Sequence, residues 1–147
     1  MKKSAFTMIE LVFVIVVLGI LASVAVPRLA ATRQDAQISK ARADIASIRS
    51  SIVTERQGRL FRGQSNFIAT LDANDGNLFS SVLTYPIIAS PNTGHWQQTG
   101  VRSYTFSLPD GLNTFQYCDV NTTAGCAGQN PGTFVCTAGN SCGLLTD

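Results

Sequence analysis

The sequence predicts an α+β fold: one long N-terminal helix packed on a small antiparallel β-sheet, with a disulfide-bearing C-terminal region. Three patterns predict it: an apolar block near the start, then apolar residues at helical spacing, then alternating apolar and polar residues in the last third. A chain of 147 residues provides one domain plus an extension.

The apolar block is long enough to span a membrane. Every residue from Leu11 to Val26 is apolar or small, and the stretch 6–26 makes 21 positions, where roughly 20 are needed. Its twelve Leu, Ile, Val and Phe residues favour insertion by about 4–7 kcal/mol, and the acid Glu10 near the end opposes it by about 3 kcal/mol or less. Lys2 and Lys3 precede the block, which predicts a cytoplasmic N-terminus and an outer C-terminal part.

A second helical pattern follows Pro27. Apolar residues recur in steps of three and four and therefore share one helix face: Ile38, Ala41, Ile45, Ile48 and Ile52. Gly58 and Gly63 are candidate stops. We expect one helix from about residue 6 to about residue 57, with Pro27 as a kink or as the start of a new helix.

The last third has the pattern of strands. Two alternating runs flank the turn sequence Pro109-Asp110-Gly111, which predicts a hairpin with these apolar residues on one face: Tyr104, Phe106, Leu108, Phe115 and Tyr117. Thr133–Thr137 predicts a third strand, and Tyr85–Ile88 a short edge segment. Packing such a sheet on the isoleucine stripe gives both elements a place to bury their apolar faces.

The four cysteines indicate two disulfides and an oxidising compartment outside the cytoplasm: Cys118, Cys126, Cys136 and Cys142. Zinc is the alternative, but no Cys-x-x-Cys is present and His95 is distant in sequence. Four cysteines allow three pairings, and the spacing does not choose among them.

The N-terminus has three interpretations. A secretory signal peptide would be cut after Ser23-Val24-Ala25 and would release a soluble binding module or small enzyme. A plain single-span anchor is the second. Glu10, an acid at the entrance of the apolar stretch, argues against the first, as does the amphipathic stripe that follows almost at once.

The third interpretation is a resemblance. Residues 2–11, Lys-Lys-Ser-Ala-Phe-Thr-Met-Ile-Glu-Leu, resemble the class III leader of type IV pilins and type II secretion pseudopilins. The resemblance implies cleavage by prepilin peptidase between Ala5 and Phe6, and N-methylation of Phe6 as the first mature residue. Glu10 is then the fifth mature residue, which is glutamate in that family. Ala5 stands where the family usually has glycine.

The resemblance extends over about residues 1–55, with Gly19 and Pro27 at positions where the family often has these residues. It implies a leader at 1–5, a transmembrane and filament-core half of the helix at 6–27, and a periplasmic or extracellular head at 28–147 that includes the amphipathic half. The implied location is the inner membrane in a single pass, and then a pilus or pseudopilus.

The resemblance also implies a structural subunit and not an enzyme. Its expected partners are prepilin peptidase, other pilin-like subunits, the inner-membrane assembly platform and, before assembly, the lipid bilayer. We expect Glu10 of one subunit to pair with the Phe6 amine of a neighbour. A type II secretion pseudopilus and a type IV or DNA-uptake pilus both fit, with the pseudopilus slightly favoured.

Charge is unevenly distributed. Residues 28–62 hold eight basic residues against three acids, a net charge of +5, and residues 63–147 hold one against five, a net charge of −4. Two interpretations remain open: contact between the head of one subunit and the stem of another, and solvated surface charge. Two i,i+4 charge pairs are predicted on the helix, Lys40–Asp44 and Glu55–Arg59.

Other candidate sites are weak. His95 has no nucleophile in a recognisable setting, so we expect a structural or exposed histidine. Asp72–Gly76 has the wrong spacing for a calcium loop and is better interpreted as a turn. No cofactor is expected. Some major pseudopilins bind calcium near their C-terminus, and three acids are candidates for such a role: Asp110, Asp119 and Asp147.

Overall fold

The computed structural model describes residues 6–120 and 125–146. The chain divides into two compact units, Met1–Ala36 and Gln37–Asp147, which we call the N-terminal unit and the C-terminal unit. Helix α1, Met8–Phe61, is 54 residues long and has residues in both units.

Within the described residues, six strands and one short helix follow α1. Two strands, β1 (Asn77–Leu78) and β2 (Ile87–Ile88), form a two-stranded antiparallel sheet. The other four form an antiparallel sheet in sequence order: β3 (Trp96–Gly100), β4 (Ser103–Leu108), β5 (Gly111–Cys118) and β6 (Thr133–Ala138). Helix α2, Cys142–Thr146, follows β6. The predicted α+β class, a long helix with antiparallel sheets, is confirmed.

The end of α1 differs from the prediction by about one turn. Gly58 lies inside the helix, and Gly63 ends it with a φ of 76°. The N–H of Gly63 donates to Leu60 O and that of Gln64 donates to Arg59 O, both at 2.9 Å. This pair of bonds is the Schellman arrangement, which requires a left-handed residue and so selects glycine.

The predicted hairpin is confirmed as β4 and β5. Leu108 pairs with Gly111 next to the turn, and Tyr104 pairs with Phe115. Strand β3 was not predicted, because Trp96 is its only large apolar residue and the four residues after it are Gln, Gln, Thr and Gly. The pairing with β4, and not an alternating pattern, holds this edge strand in place.

The predicted helix stripe lies in the core of the C-terminal unit. Ala41, Ile45, Ile48 and Ile52 are each at most 2% exposed, and Ile38 is partly buried beside them. The five apolar hairpin residues predicted to share a face are buried as well. The spacing along α1 and the alternation along the hairpin therefore both identify core residues.

Aromatic rings fill the space between α1 and the sheet. Phe134 of β6 stacks on Phe115 with ring centroids 5.4 Å apart, and Phe79 lies 4.5 Å from Tyr104. The ring centroids of Trp96 and Phe115 are 5.1 Å apart. Phe79 follows β1 with a φ of 59°, and a positive φ at a bulky residue is maintained only by the packing around it.

A buried carboxylate fixes the segment that carries Phe79. Asp72 is 6% exposed and accepts hydrogen bonds from Phe79 N at 2.7 Å, from Gln98 Nε2 at 3.0 Å and from the Tyr104 hydroxyl. Burial of the Tyr104 hydroxyl is the main cause that raises its pKa, and the hydrogen bond to Asp72 and the charge of Asp72 raise it further. The hydroxyl therefore stays protonated and donates to Asp72. The segment between α1 and β3 is thus tied to the sheet by polar contacts that the sequence pattern does not reveal.

Three arginines spaced seven residues apart attach α1 to the rest of the C-terminal unit. Arg42 Nε donates to a carbonyl of α2, and Arg49 Nε donates to Phe134 O at 3.1 Å. The Arg56 guanidinium lies 4.6 Å from the ring centroid of Phe67. Residues seven apart share a helix face, so one row of α1 contacts three parts of the fold.

Neither predicted charge pair on α1 forms. Lys40 Nζ donates to Gly94 O at 2.9 Å, and Asp44 accepts instead from Trp96 Nε1 at 3.0 Å. Both side chains find partners on other elements, and an exposed i,i+4 ion pair would contribute little stability in comparison.

The second predicted pair is replaced in the same way. Arg59 Nε donates to Asn66 O at 3.0 Å, and Glu55 pairs with Arg62 at 3.0 Å. The turn after α1 supplies the carbonyl that attracts Arg59 away from Glu55.

Replacing Ile48 by alanine tests the stripe. Ile48 is fully buried, so Ile48→Ala should lower the free energy of unfolding of the C-terminal unit by about 2–5 kcal/mol. Ser50→Ala, on the exposed face of the same helix, should change it by about 0.5 kcal/mol or less. Denaturant titration of the full chain in detergent, followed by Trp96 fluorescence, measures both. Equal effects of the two substitutions would contradict the packing described.

Candidate functional site

The N-terminal unit presents an apolar surface that no described residue covers. Phe6 is 80% exposed, and the large apolar side chains from Met8 to Leu29 are all at least 37% exposed. Within the described residues, α1 is the one helix long and apolar enough to cross a membrane. This surface needs lipid or other protein chains to cover it.

The first turn of α1 has a cap that involves the predicted assembly residue. Thr7 precedes the helix, and its hydroxyl accepts a hydrogen bond from Glu10 N at 3.4 Å. Thr7-Met8-Ile9-Glu10 is the Ser/Thr-x-x-Glu capping-box pattern, a local sequence signal for a helix that begins after Thr7. Glu10 therefore also favours the helix through its position at the positive end of the helix dipole.

The predicted cleavage residue Ala5 lies outside the described residues, whereas Phe6 lies just before the helix. Phe6 and Glu10 are both exposed, and they lie four residues apart at the N-terminal end of the described chain. Pro27 lies inside α1, which continues across it. A kink at Pro27 stays a prediction. A Cβ added at Gly19 would meet no atom within 4 Å.

The four cysteines form two local disulfides, Cys118–Cys126 and Cys136–Cys142. The first links the last residue of β5 to a residue eight positions later in the chain. The second links β6 to the first residue of α2, six positions later. Cys118 and Cys126 are fully buried, whereas Cys136 and Cys142 are partly exposed. The structure thus selects one of the three pairings that the sequence left open.

The segment joined by Cys136–Cys142 is attached at further points. Ser141 N donates to Asn113 Oδ1 at 3.0 Å, and its hydroxyl donates to Asp110. Leu145 of α2 is 2% exposed and belongs to the core. The C-terminal segment is therefore part of the folded unit.

The weaker candidate residues have structural partners. His95 Nδ1 lies 3.2 Å from Thr93 O, in the loop before β3. Asp75 Oδ1 accepts hydrogen bonds from Asn77 N at 3.0 Å and from the Ser80 hydroxyl at 2.9 Å, which lowers the pKa of the Asp75 carboxyl. Residues 74–76 form a bend before β1, with positive φ angles at Asn74 and Gly76.

Of the three acids that are candidates for calcium binding, the structure describes Asp110 and Asp119, and these two have separate partners. Asp110 contacts Ser141, and Asp119 forms an ion pair with Arg102 at 2.6 Å. Asp147 lies outside the described residues. No group of three or more potential metal ligands occurs in residues 6–120 and 125–146.

Comparison with protein families finds a match at the N-terminus. Residues 1–26 match the family model described as the prokaryotic N-terminal methylation motif. The match supports the type IV pilin-like class III leader that the sequence predicts, in a pilin-like precursor that is processed at this leader. The motif is that of structural proteins. The comparisons with curated proteins and with solved structures find no match.

The two disulfides should differ in their rate of reduction. Because Cys118–Cys126 is buried and Cys136–Cys142 is partly exposed, a mild thiol reductant should open Cys136–Cys142 first in the folded protein. Timed alkylation followed by peptide mass spectrometry measures the order. In denaturant, where burial is lost, the two should be reduced at similar rates. Earlier reduction of Cys118–Cys126 in the folded chain would contradict the burial described.

Proposed function

We propose that this chain is a structural subunit of a type IV filament, processed by prepilin peptidase and assembled through its N-terminal helix. The observation that carries the proposal is the methylation motif at residues 1–26, which is continuous with an apolar helical surface that no described residue covers. Before assembly, lipid covers this surface, with the N-terminus cytoplasmic and the C-terminal unit periplasmic. After assembly, the same surface of other subunits covers it.

The chemistry of processing supports a role for Glu10. Cleavage before Phe6 creates a positively charged amine at the edge of an apolar helix. A carboxylate in apolar surroundings is costly unless it is paired with a cation. Glu10 lies in the first turn of α1, close in sequence to this amine. Pairing Glu10 of one subunit with the Phe6 amine of the next satisfies both charges and sets the axial register.

The proposal extends to the division of the chain and to its partners. Residues 1–5 are the leader, 6–27 the transmembrane and filament-core segment, and 28–147 the head. Prepilin peptidase, the inner-membrane assembly platform and other pilin-like subunits are its partners. Between the possible systems we favour a type II secretion pseudopilus over a type IV or DNA-uptake pilus; a gene disruption that stops twitching or transformation but not protein export would reverse this choice.

The competing function is a secreted binding module or small enzyme, cut after Ala25 by ordinary signal peptidase. It would discard residues 6–25, including Glu10. The two functions therefore differ in whether the apolar segment is present in the mature protein.

Glu10→Gln tests the assembly role more sharply than alanine, because glutamine keeps the capping-box geometry but cannot form an ion pair. We expect filament yield to fall by about tenfold or more, since removing one partner of a buried ion pair costs roughly 3–5 kcal/mol. Electron microscopy and immunoblotting of sheared filaments measure the yield.

Thr7→Ala is the matched control. It removes the hydroxyl that caps Glu10 N but leaves the charge of Glu10, so filament yield should stay near wild type. Membrane levels of both variants must equal the wild-type level. Normal filaments from Glu10→Gln would show that Glu10 serves the helix cap and not assembly.

A further inference from the structure

A groove in the C-terminal unit combines one carboxylate with hydroxyl groups and an aromatic ring. Asp44, Ser47 and Ser51 of α1 form one side. Leu83 and Tyr85 from the connection between β1 and β2, together with Ile87 of β2, form the other. Its volume is about 380 Å³. The Tyr85 side chain is 88% exposed at its edge.

The carboxylate in this groove lacks a cation in contact. Asp44 is half-buried, and its Oδ2 accepts a hydrogen bond from Trp96 Nε1 at 3.0 Å. Among the described residues no basic group lies within ion-pair distance of it, because Lys40 Nζ is bound to Gly94 O. Burial raises the pKa of the Asp44 carboxyl, and the Trp96 hydrogen bond and the Lys40 charge offset part of that rise.

The groove has the chemistry that an arginine side chain requires. A guanidinium group pairs with a carboxylate through directed N–H donors, and hydroxyl oxygens accept the donors that remain. The aliphatic part of an arginine side chain packs on apolar side chains, here Leu83 and Ile87. Its planar guanidinium stacks on an aromatic face, here Tyr85.

The same chain carries arginines without partners. Arg28 and Arg33 are exposed, and within the described residues neither guanidinium forms a hydrogen bond or an ion pair. Most other basic side chains of α1 are already engaged, as Arg42, Arg49 and Arg59 are. The part of α1 that follows its apolar stretch thus has free cations, and the C-terminal unit has a half-buried carboxylate.

We propose that this groove binds Arg28 or Arg33 of a second copy of the chain. The inference rests on the proposed function, because assembly through residues 6–26 brings the arginines that follow this segment close to the C-terminal units of other copies. The contact joins the positive stretch of one subunit to a negative site on another, which gives pairing between subunits a defined partner and direction.

Photo-crosslinking tests the contact in assembled filaments. Tyr85 is replaced by p-benzoylphenylalanine in the full chain, which the exposure of Tyr85 permits, and filaments are irradiated and digested. The expected product links position 85 to residues 27–36 of a second copy, identified by mass spectrometry. Leu112, 60% exposed on β5, is the control position for the same photoreactive residue and should not give this product.

Charge variants test whether the arginines hold the contact. Arg28→Gln together with Arg33→Gln should lower the yield of the crosslink by about tenfold, and Asp44→Asn should do the same while keeping an acceptor for Trp96. Arg62→Gln, whose guanidinium pairs with Glu55, should leave the yield unchanged.

The outcomes separate this inference from the proposed function. If filaments form and position 85 links to another segment, to lipid, or to nothing, the inference is wrong and the filament role stands. If the mature chain lacks residues 6–25 and forms no filaments, the proposed function is wrong, and the inference fails with it.

Discussion

The structure depends on one constraint: from Leu11 to Val26 every residue of α1 is apolar or small, and no described part of the chain covers this stretch. Burying such a surface contributes roughly 25 cal/mol per Å² of apolar area removed from water. Fifteen or more large apolar side chains therefore require another environment, either lipid or other chains. The methylation motif at residues 1–26 is consistent with both environments in succession.

Farther along α1, after residue 37, the apolar side chains are covered by the protein itself. From Ile38 to Ile52 one face of α1 is buried under the sheet, while the row from Arg42 to Arg56 contacts α2, β6 and the turn after the helix. These basic side chains bind carbonyl groups and an aromatic ring and not carboxylates. Within the described residues, Arg42, Arg49 and Arg56 therefore form no ion pair with an acid of the same chain.

The predictable parts of the fold are those with a periodic pattern. The isoleucine stripe, the hairpin around Pro109–Gly111 and the strand at Thr133 were all found from spacing. Strand β3 was missed because its polar residues do not alternate with apolar ones. The burial of Phe79 was missed because it depends on Asp72, Gln98 and Tyr104, which are brought together only by tertiary structure.

The candidate site shows the same division. Local sequence is sufficient to predict the leader, and Thr7-x-x-Glu10 is a local signal for the start of α1. The disulfide pairing and the groove at Asp44 could not be predicted, since spacing allows several pairings and the groove joins residues about forty positions apart.

The central claim is that the mature protein keeps its apolar helix and loses only the residues before Phe6. N-terminal sequencing and intact mass measurement of the protein purified from cell envelopes test it most directly. The account predicts a chain that starts at Phe6 and carries one N-methyl group. A mature chain that starts at Val26 would contradict it.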